Sequence, residues 1–375
     1  MADAAGKNRD YVNSCIELAL RGLEAMFDKQ SRLFCHRRML VAGDLFTNEG
    51  LSKRYTLIAL LGLHRLQSAG RSIPFDIPAI AEPFLDAASL LDNPGDIGLL
   101  IWLVAQAMPD RLHDVLAHCD PDSILDRFTD GRNRNTMQLS WLLTGLSYAA
   151  LSSTDSRKKT AEISRTIYSL LKENYGNAGI FGHAASRFPL RHFRNRMGSF
   201  ADQVYPAYAF SVYSRAFDNS EAPDIALACC TKICELQGPR GQWWWHYDAI
   251  SGRVVGRYPV FSVHQEAMAP MALFEVGRRT GTDFTEPVYR GLQWNSGNNE
   301  LGRDMADRQR NIIWRSIYRN GLSGRIEEFL GLSGFGPGRG KPHGFKVLLE
   351  GRPYCLGWLL YAFADAGPRP AGEGA

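Results

Sequence analysis

What most constrains this chain is an alternation between two kinds of helical periodicity. One kind is amphipathic and charged, as at 160–173; the next is apolar on every side, as at 97–107. A helix that is apolar all round must be buried, so alternating the two requires an inner layer and an outer layer that shields it. Strict two-residue alternation of apolar and polar positions, the mark of a half-buried strand, is almost absent. The pattern predicts helices over 11–26, 52–66, 77–91, 95–107, 112–128, 136–150, 160–173, 201–213, 222–236, 263–278, 288–294 and 355–363. The expected class is all-α: an (α/α)6-type toroid of helical hairpins in two concentric rings, forming one domain over 1–366 with a disordered tail at 367–375.

Composition narrows the function classes. With 45% hydrophobic and 22% charged residues, disordered and fibrous classes drop out. The 43 basic and 39 acidic residues are interspersed, so nucleic acid is not an expected partner. There is no eighteen-residue apolar run and no basic-then-apolar start, so neither a transmembrane segment nor an export signal is expected. Seven cysteines at irregular spacing read as reduced core residues, which places the protein in the cytoplasm. No HxxxH, HxH or paired CxxC set occurs, and neither metal nor cofactor is expected.

Short repeats mark the loops after outer helices: Phe34-Cys35-His36, Phe181-Gly182-His183 and Trp244-Trp245-His246, with a fourth, weaker copy at Ile313-Trp314-Arg315. Repetition favours an architectural job for His36 and His183. Inner helices carry start signals: Ser199 with Asp202, Ser262 with Gln265, Asn135 with Gln138, and Asn93 before Pro94. Pro206 and Pro270 should each disturb an inner helix shortly after it begins. The connections 174–198, 237–261 and 295–351 are longer than a compact hairpin needs, and such loops tend to carry function. The glycine-rich run Gly331 to Gly340 reads as a mobile flap.

In a ring of hairpins all inner helices enter from one face, so their first turns converge. This gathers Lys53, Arg54, Tyr55, Asp96, Gln138, Trp141, Asp202, Gln203, Tyr205, His264, Glu266, Arg352 and Tyr354. The densest loop adds Trp244, Trp245, His246, Tyr247, Asp248 and Tyr258. Aromatic faces stack on sugar rings and stabilise cations, while His, Asp, Glu and Tyr move protons. Asp96, Asp202, His246, Tyr258, His264 and Glu266 are the candidate acids and bases; the remaining residues apart from Lys53 and Gln138 are candidate substrate contacts. Asp202 also has a structural role as a capping partner.

The stretch Leu236-Gln237-Gly238-Pro239-Arg240-Gly241-Gln242-Trp243 resembles the QW repeat of the terpenoid cyclase and protein prenyltransferase toroids. The Phe-Xaa-His loops look like degenerate copies, and twelve alternating helices are similarly found in six-hairpin glycosidases and related polysaccharide lyases. The DxDD and DDxxD motifs of terpenoid chemistry are missing, with Asp120-Pro121-Asp122 the nearest fragment. The resemblance implies the architecture; the aromatic, acid/base and arginine residues point to a carbohydrate-active enzyme, a hydrolase, lyase or epimerase acting on an anionic oligosaccharide by general acid/base catalysis. An isoprenoid-processing toroid and a non-catalytic binding toroid are the alternatives. An open polar groove would support sugar, and a closed apolar cavity isoprenoid.

Overall fold

Three inner helices begin at residues that satisfy their first N–H groups. Ser52 accepts from Tyr55 N–H at 3.2 Å, Asn93 from Gly95 N–H at 2.9 Å and Asn135 from Gln138 N–H at 3.0 Å. The computed structural model describes residues 8–86, 91, 93–118, 135–184, 195–319 and 344–365 in full, and the backbone of 2–7 and 366. Among these, twelve α-helices follow one another. The inner ones are α2 (Lys53–Ser68), α4 (Pro94–Ala107), α6 (Thr136–Ser152), α8 (Ala201–Phe217), α10 (Ala269–Thr280) and α12 (Pro353–Phe363). The outer ones are α1 (Ala2–Met26), α3 (Ile77–Asp86), α5 (Leu112–His118), α7 (Thr154–Glu173), α9 (Ala222–Glu235) and α11 (Thr285–Asn295).

Each inner helix packs on the next, and α12 returns to α2, which closes the ring. The first outer helix, α1, packs on the last inner one, so the two ends of the chain seal one seam. Glycines set the closeness of the inner ring. A Cβ on Gly62 would lie 2.0 Å from the Gly357 carbonyl oxygen, and one on Gly98 would lie 2.4 Å from Leu142 Cα. Glycine usually weakens a helix interior by roughly 1 kcal/mol, and here it permits backbone contact that any side chain would block.

The centre of the ring is filled. Trp102 packs against Tyr148, Tyr208, Trp358 and Tyr361 with ring centroids 5.3–5.6 Å apart. The Tyr208 hydroxyl meets those of Tyr148 and Tyr361, each at 2.8 Å, satisfying three buried phenols. Any working cleft must therefore lie at one end of the toroid.

Three sequence expectations are corrected. The segments read as plain loops contain short antiparallel strands: Leu33–Ala42 pairs with Leu45–Leu51, and Met197–Ser199, His246–Asp248 and Arg253–Gly256 form a three-stranded sheet. The strands of this sheet are only three or four residues long, too short to show a period. Ser262 and Gln265 are not a capping box; Ser262 donates to Trp314 O at 2.6 Å, and the Gln265 amide oxygen accepts from Trp243 N–H at 3.1 Å. In place of a capped first turn, His264–Met268 forms a π turn ahead of α10. Pro270 follows, and its missing N–H removes the bond that the Glu266 carbonyl would otherwise accept.

The third correction concerns the loop repeat. Phe34 N–H donates to Thr56 Oγ1, Phe181 N–H to Gln203 Oε1 and Trp243 N–H to Gln265 Oε1, so Trp243 is the counterpart of Phe34 and Phe181. Likewise Thr136, Phe200 and Ser262 donate their N–H groups to the carbonyls of His183, Trp245 and Arg315 at 2.9–3.0 Å. The third repeat is thus Trp243-Trp244-Trp245, one residue earlier than the sequence suggests. His183, Trp245 and Arg315 hold equivalent places. The flap at 331–340, the fragment Asp120-Pro121-Asp122 and the tail lie outside the described residues.

Candidate active site

Where the inner helices begin, the first turns of α2, α6, α8 and α12 and the π turn surround a cleft of about 460 Å³. Arg54 and Tyr55 come from α2, Trp141 from α6, Tyr205 from α8, His264 and Met268 from the π turn and Tyr354 from α12. The loops add His183, Ser199, Trp245, His246, Phe261 and Arg315. Eight sequence-selected residues therefore meet here: Arg54, Tyr55, Trp141, Tyr205, Trp245, His246, His264 and Tyr354.

Two buried or half-buried carboxylates stand directly behind the wall. Asp202, on the first turn of α8, accepts from His183 Nδ1 at 3.1 Å and from Ser199 N–H and Oγ, each at 2.8 Å. All three reach Oδ2, leaving Oδ1 buried without a partner among the described residues. The Asp202 side chain is 1% exposed and that of His183 34%, so the carboxylate is shielded while the imidazole reaches the cleft. With its proton held at Nδ1, a neutral His183 carries its basic lone pair on Nε2. Asp96, on the first turn of α4, accepts from Arg54 Nε at 2.5 Å. The Arg54 guanidinium also lies 5.5 Å over the Trp141 ring, which fixes its plane.

Aromatic rings form the remaining walls. Trp141 meets Tyr205 edge-on at 5.0 Å, Tyr55 lies 4.6 Å from Tyr354, and Trp245 lies 4.4 Å from Phe261. Burial pushes the Tyr55 hydroxyl up to about 12 and those of Tyr205 and Tyr354 further, so all three remain hydrogen-bond donors at neutral pH. His264 is wedged between Phe200, Trp245 and Phe261. Burial, with Arg315 nearby, lowers its pKa to about 3, so it is a neutral wall at physiological pH.

The other selected residues serve elsewhere. Glu266 leaves the π turn on the side away from the cleft, where Asn295 donates to it and burial raises its pKa far above the usual carboxylate value. Tyr258 donates to Glu300 at 2.9 Å, and Glu300 also takes Gln242 and Trp294, so this cluster ties loops together. Gln203 bonds the Phe181 backbone through both its amide atoms. Tyr247 and Trp244 are buried, and Trp244 Nε1 donates to Leu236 O at 3.0 Å. Burial opposes ionisation of Asp248, yet paired bonds from Arg196 at 2.8 and 2.7 Å hold its pKa below the usual range. Arg352 stands just outside the wall, donating to Tyr55 Oη at 3.0 Å. Gln237, of the QW-like stretch, donates to Gly241 O and Pro287 O, linking the end of α9 to the start of α11. The loop residues Arg187, Arg191, His192 and Arg194 lie outside the described residues.

Sequence reasoning set His183 aside as architectural and gave Arg315 no role. The signal that finds both is the corrected repeat register, which puts them at the position of Trp245. A larger hollow of about 930 Å³ lies at the opposite end, where Phe274, Phe284 and Phe363 meet Arg9, Arg65 and Arg278. It has no histidine among its lining, so the smaller cleft, with its histidines and the buried Asp202 behind it, is the candidate site.

No protein-family model matches the chain, and no curated protein matches it in sequence. Solved structures do match over nearly the whole length. An unsaturated glucuronyl hydrolase specific for heparin is similar at a TM-score of 0.61 and 12% identity, covering 96% of each chain. A possible member of the GH105 family from Salmonella enterica serovar Paratyphi A gives 0.60 and 10%, covering 95% of this chain and 93% of that one. An unsaturated glucuronyl hydrolase from Bacillus sp. GL1, responsible for the degradation of glycosaminoglycan, gives 0.55 and 14%, covering 95% of each. The fold is accordingly an α/α toroid, shared with these solved structures.

Proposed function

We propose that this protein is a carbohydrate-active hydrolase that removes a terminal uronic-acid residue from an anionic oligosaccharide by general acid/base catalysis. The observation that carries this reading is the composition of the cleft. A shielded His183–Asp202 pair, aromatic faces and the cations Arg54 and Arg315 converge within about 460 Å³. A space of that size suits one or two sugar rings rather than a long polymer. Arg54, oriented by Asp96 and Trp141, is suited to the substrate carboxylate, and the tyrosine hydroxyls to sugar oxygens.

His183 moves the proton. Asp202 fixes its tautomer and stabilises the imidazolium that forms as the proton is taken up. Hydrolysis is preferred to elimination or epimerisation because the similar solved structures named above include unsaturated glucuronyl hydrolases, and a further similar structure is a glycosidase. The isoprenoid alternative would require a hydrocarbon to desolvate Arg54, Arg315 and His183, which is unfavourable. Among the described residues no helix is long and apolar enough to cross a membrane, and the described cysteines are free. A reducing compartment suits them, so the substrate is a short fragment that has already entered the cytoplasm.

The test is incubation of the protein with disaccharides ending in glucuronic acid, in its 4,5-unsaturated form, or in neutral glucose, followed by product analysis. Release of an acidic sugar with neutral disaccharides untouched is expected. Cleavage of the neutral sugars alone, or of none, overturns the reading.

A further inference from the structure

The cleft has two cationic poles. Arg54 sits on the side of α4 and α6, bound to Asp96 and stacked on Trp141. Arg315 lies over Phe261 and is held by Glu350, three residues before the start of α12, so it belongs to the side of α10 and α12. In the order α2, α4, α6, α8, α10, α12, helices α4 and α10 stand opposite each other. The two guanidiniums line the same cleft, each held by its own carboxylate.

Charge at the second pole is out of balance. Glu350 Oε1 accepts from Arg315 Nη1 at 2.8 Å and from Arg352 Nε at 2.9 Å, with Arg37 Nη1 3.7 Å from Oε2. Arg37 is otherwise answered by Glu49, at 2.6 Å. Among the described residues, three guanidiniums thus share two carboxylates. His36 adds no charge: burial and the nearby Arg315 and Arg37 lower its pKa, and its Nε2 lies 2.9 Å from Arg352 Nη1. Glu350 is 4% exposed, so the anchor is buried while the arginines it orients keep donors for another partner. Among the described residues the Nε and Nη2 groups of Arg315 make no protein hydrogen bond, and neither does Nη2 of Arg352. His36 stacks on Tyr55 at 5.1 Å and Tyr55 meets Tyr354, giving an aromatic platform from the second pole into the cleft.

We propose that Arg315 and Arg352, oriented by Glu350, form a second anion subsite that takes a sulfate or carboxylate on the sugar adjoining the one bound at Arg54. The preferred substrate then carries acidic groups on two successive residues. This rests on the glycan reading above and deepens it.

The test compares kcat/KM for two disaccharides with the same terminal uronic acid, one sulfated on the adjoining sugar and one not, in wild type, Arg315→Gln and Arg352→Gln. Wild type should favour the sulfated substrate, and that preference should fall about tenfold or more in Arg315→Gln, as expected when a charge-assisted hydrogen bond is lost. Arg352→Gln should reduce it too, and added salt should weaken the sulfated substrate more. An equal loss on both substrates, or a wild type indifferent to the sulfate, overturns the second subsite while leaving the enzyme reading in place. Absence of turnover on either substrate in wild type overturns the enzyme reading itself, and this subsite with it.

Discussion

Asp202 illustrates how one side chain serves local structure and chemistry together. Its Oδ2 caps the entry to α8 through Ser199 and aligns His183 with the same atom. Asp202→Asn should keep the cap, because the amide oxygen still accepts from Ser199, while disturbing the imidazole tautomer. The expected result is a kcat lowered about 10²–10⁴-fold with little change in melting temperature, measured by initial rates and calorimetry. His264 gives a prediction of different sign. Its pKa is about 3 in the fold against 6.5 ordinarily, so between those values the unfolded chain takes up a proton that the folded chain refuses. Stability is retained above pH 6.5 and lost as pH falls toward 3. His264→Phe, matched to its aromatic surroundings, should flatten the melting temperature across that window; an unchanged slope would show that this ring is not the acid-labile group.

At the scale of elements, the inner helices depend on glycine contacts. Gly98→Ala would force a methyl into the Leu142 backbone, and a loss of about 1–3 kcal/mol by denaturant unfolding is expected. The π turn separates two chemistries, with His264 and Met268 on the cleft side and Glu266 in a buried pocket beside Tyr11 and Cys15. Because the folded pKa of Glu266 is raised, the fold is favoured at low pH and loses stability as pH rises beyond about 4.5. Glu266→Gln should therefore melt higher than wild type near neutral pH, with the gain vanishing in acid. The helices and their order were legible in the sequence because each buries a face or a whole circumference, and 3.6-residue periodicity records burial directly. The π turn was not legible: Ser262 with Gln265 has the letters of a capping box, and only the Trp243 backbone competing for Gln265 reveals otherwise. Short strands and the repeat register were equally hidden, since three consecutive tryptophans allow two alignments that backbone hydrogen bonds alone distinguish. The candidate site was half legible. Position on a first turn found Arg54, Tyr55, Trp141, Tyr205, His264 and Tyr354, but it also selected Glu266 and Gln203, which share that turn and face elsewhere.

For the whole molecule, closing the ring does two things at once. It buries six apolar helices against one another, with Trp102 and three tyrosines filling the axis, and it brings six first turns to one face. The chemistry then falls to whatever those turns and the adjoining loops present. The opposite end also offers a hollow, larger and bordered by Arg9, Arg65 and Arg278, so location is the central claim. The most direct measurement is the crystal structure of the Asp202→Asn variant soaked with a disaccharide that ends in an unsaturated uronic acid. The terminal ring is predicted between Trp141 and Trp245 with its carboxylate on Arg54 and its glycosidic oxygen facing His183. Density for the sugar among Phe274, Phe284 and Phe363 at the far end, with the first-turn cleft empty, would contradict the account.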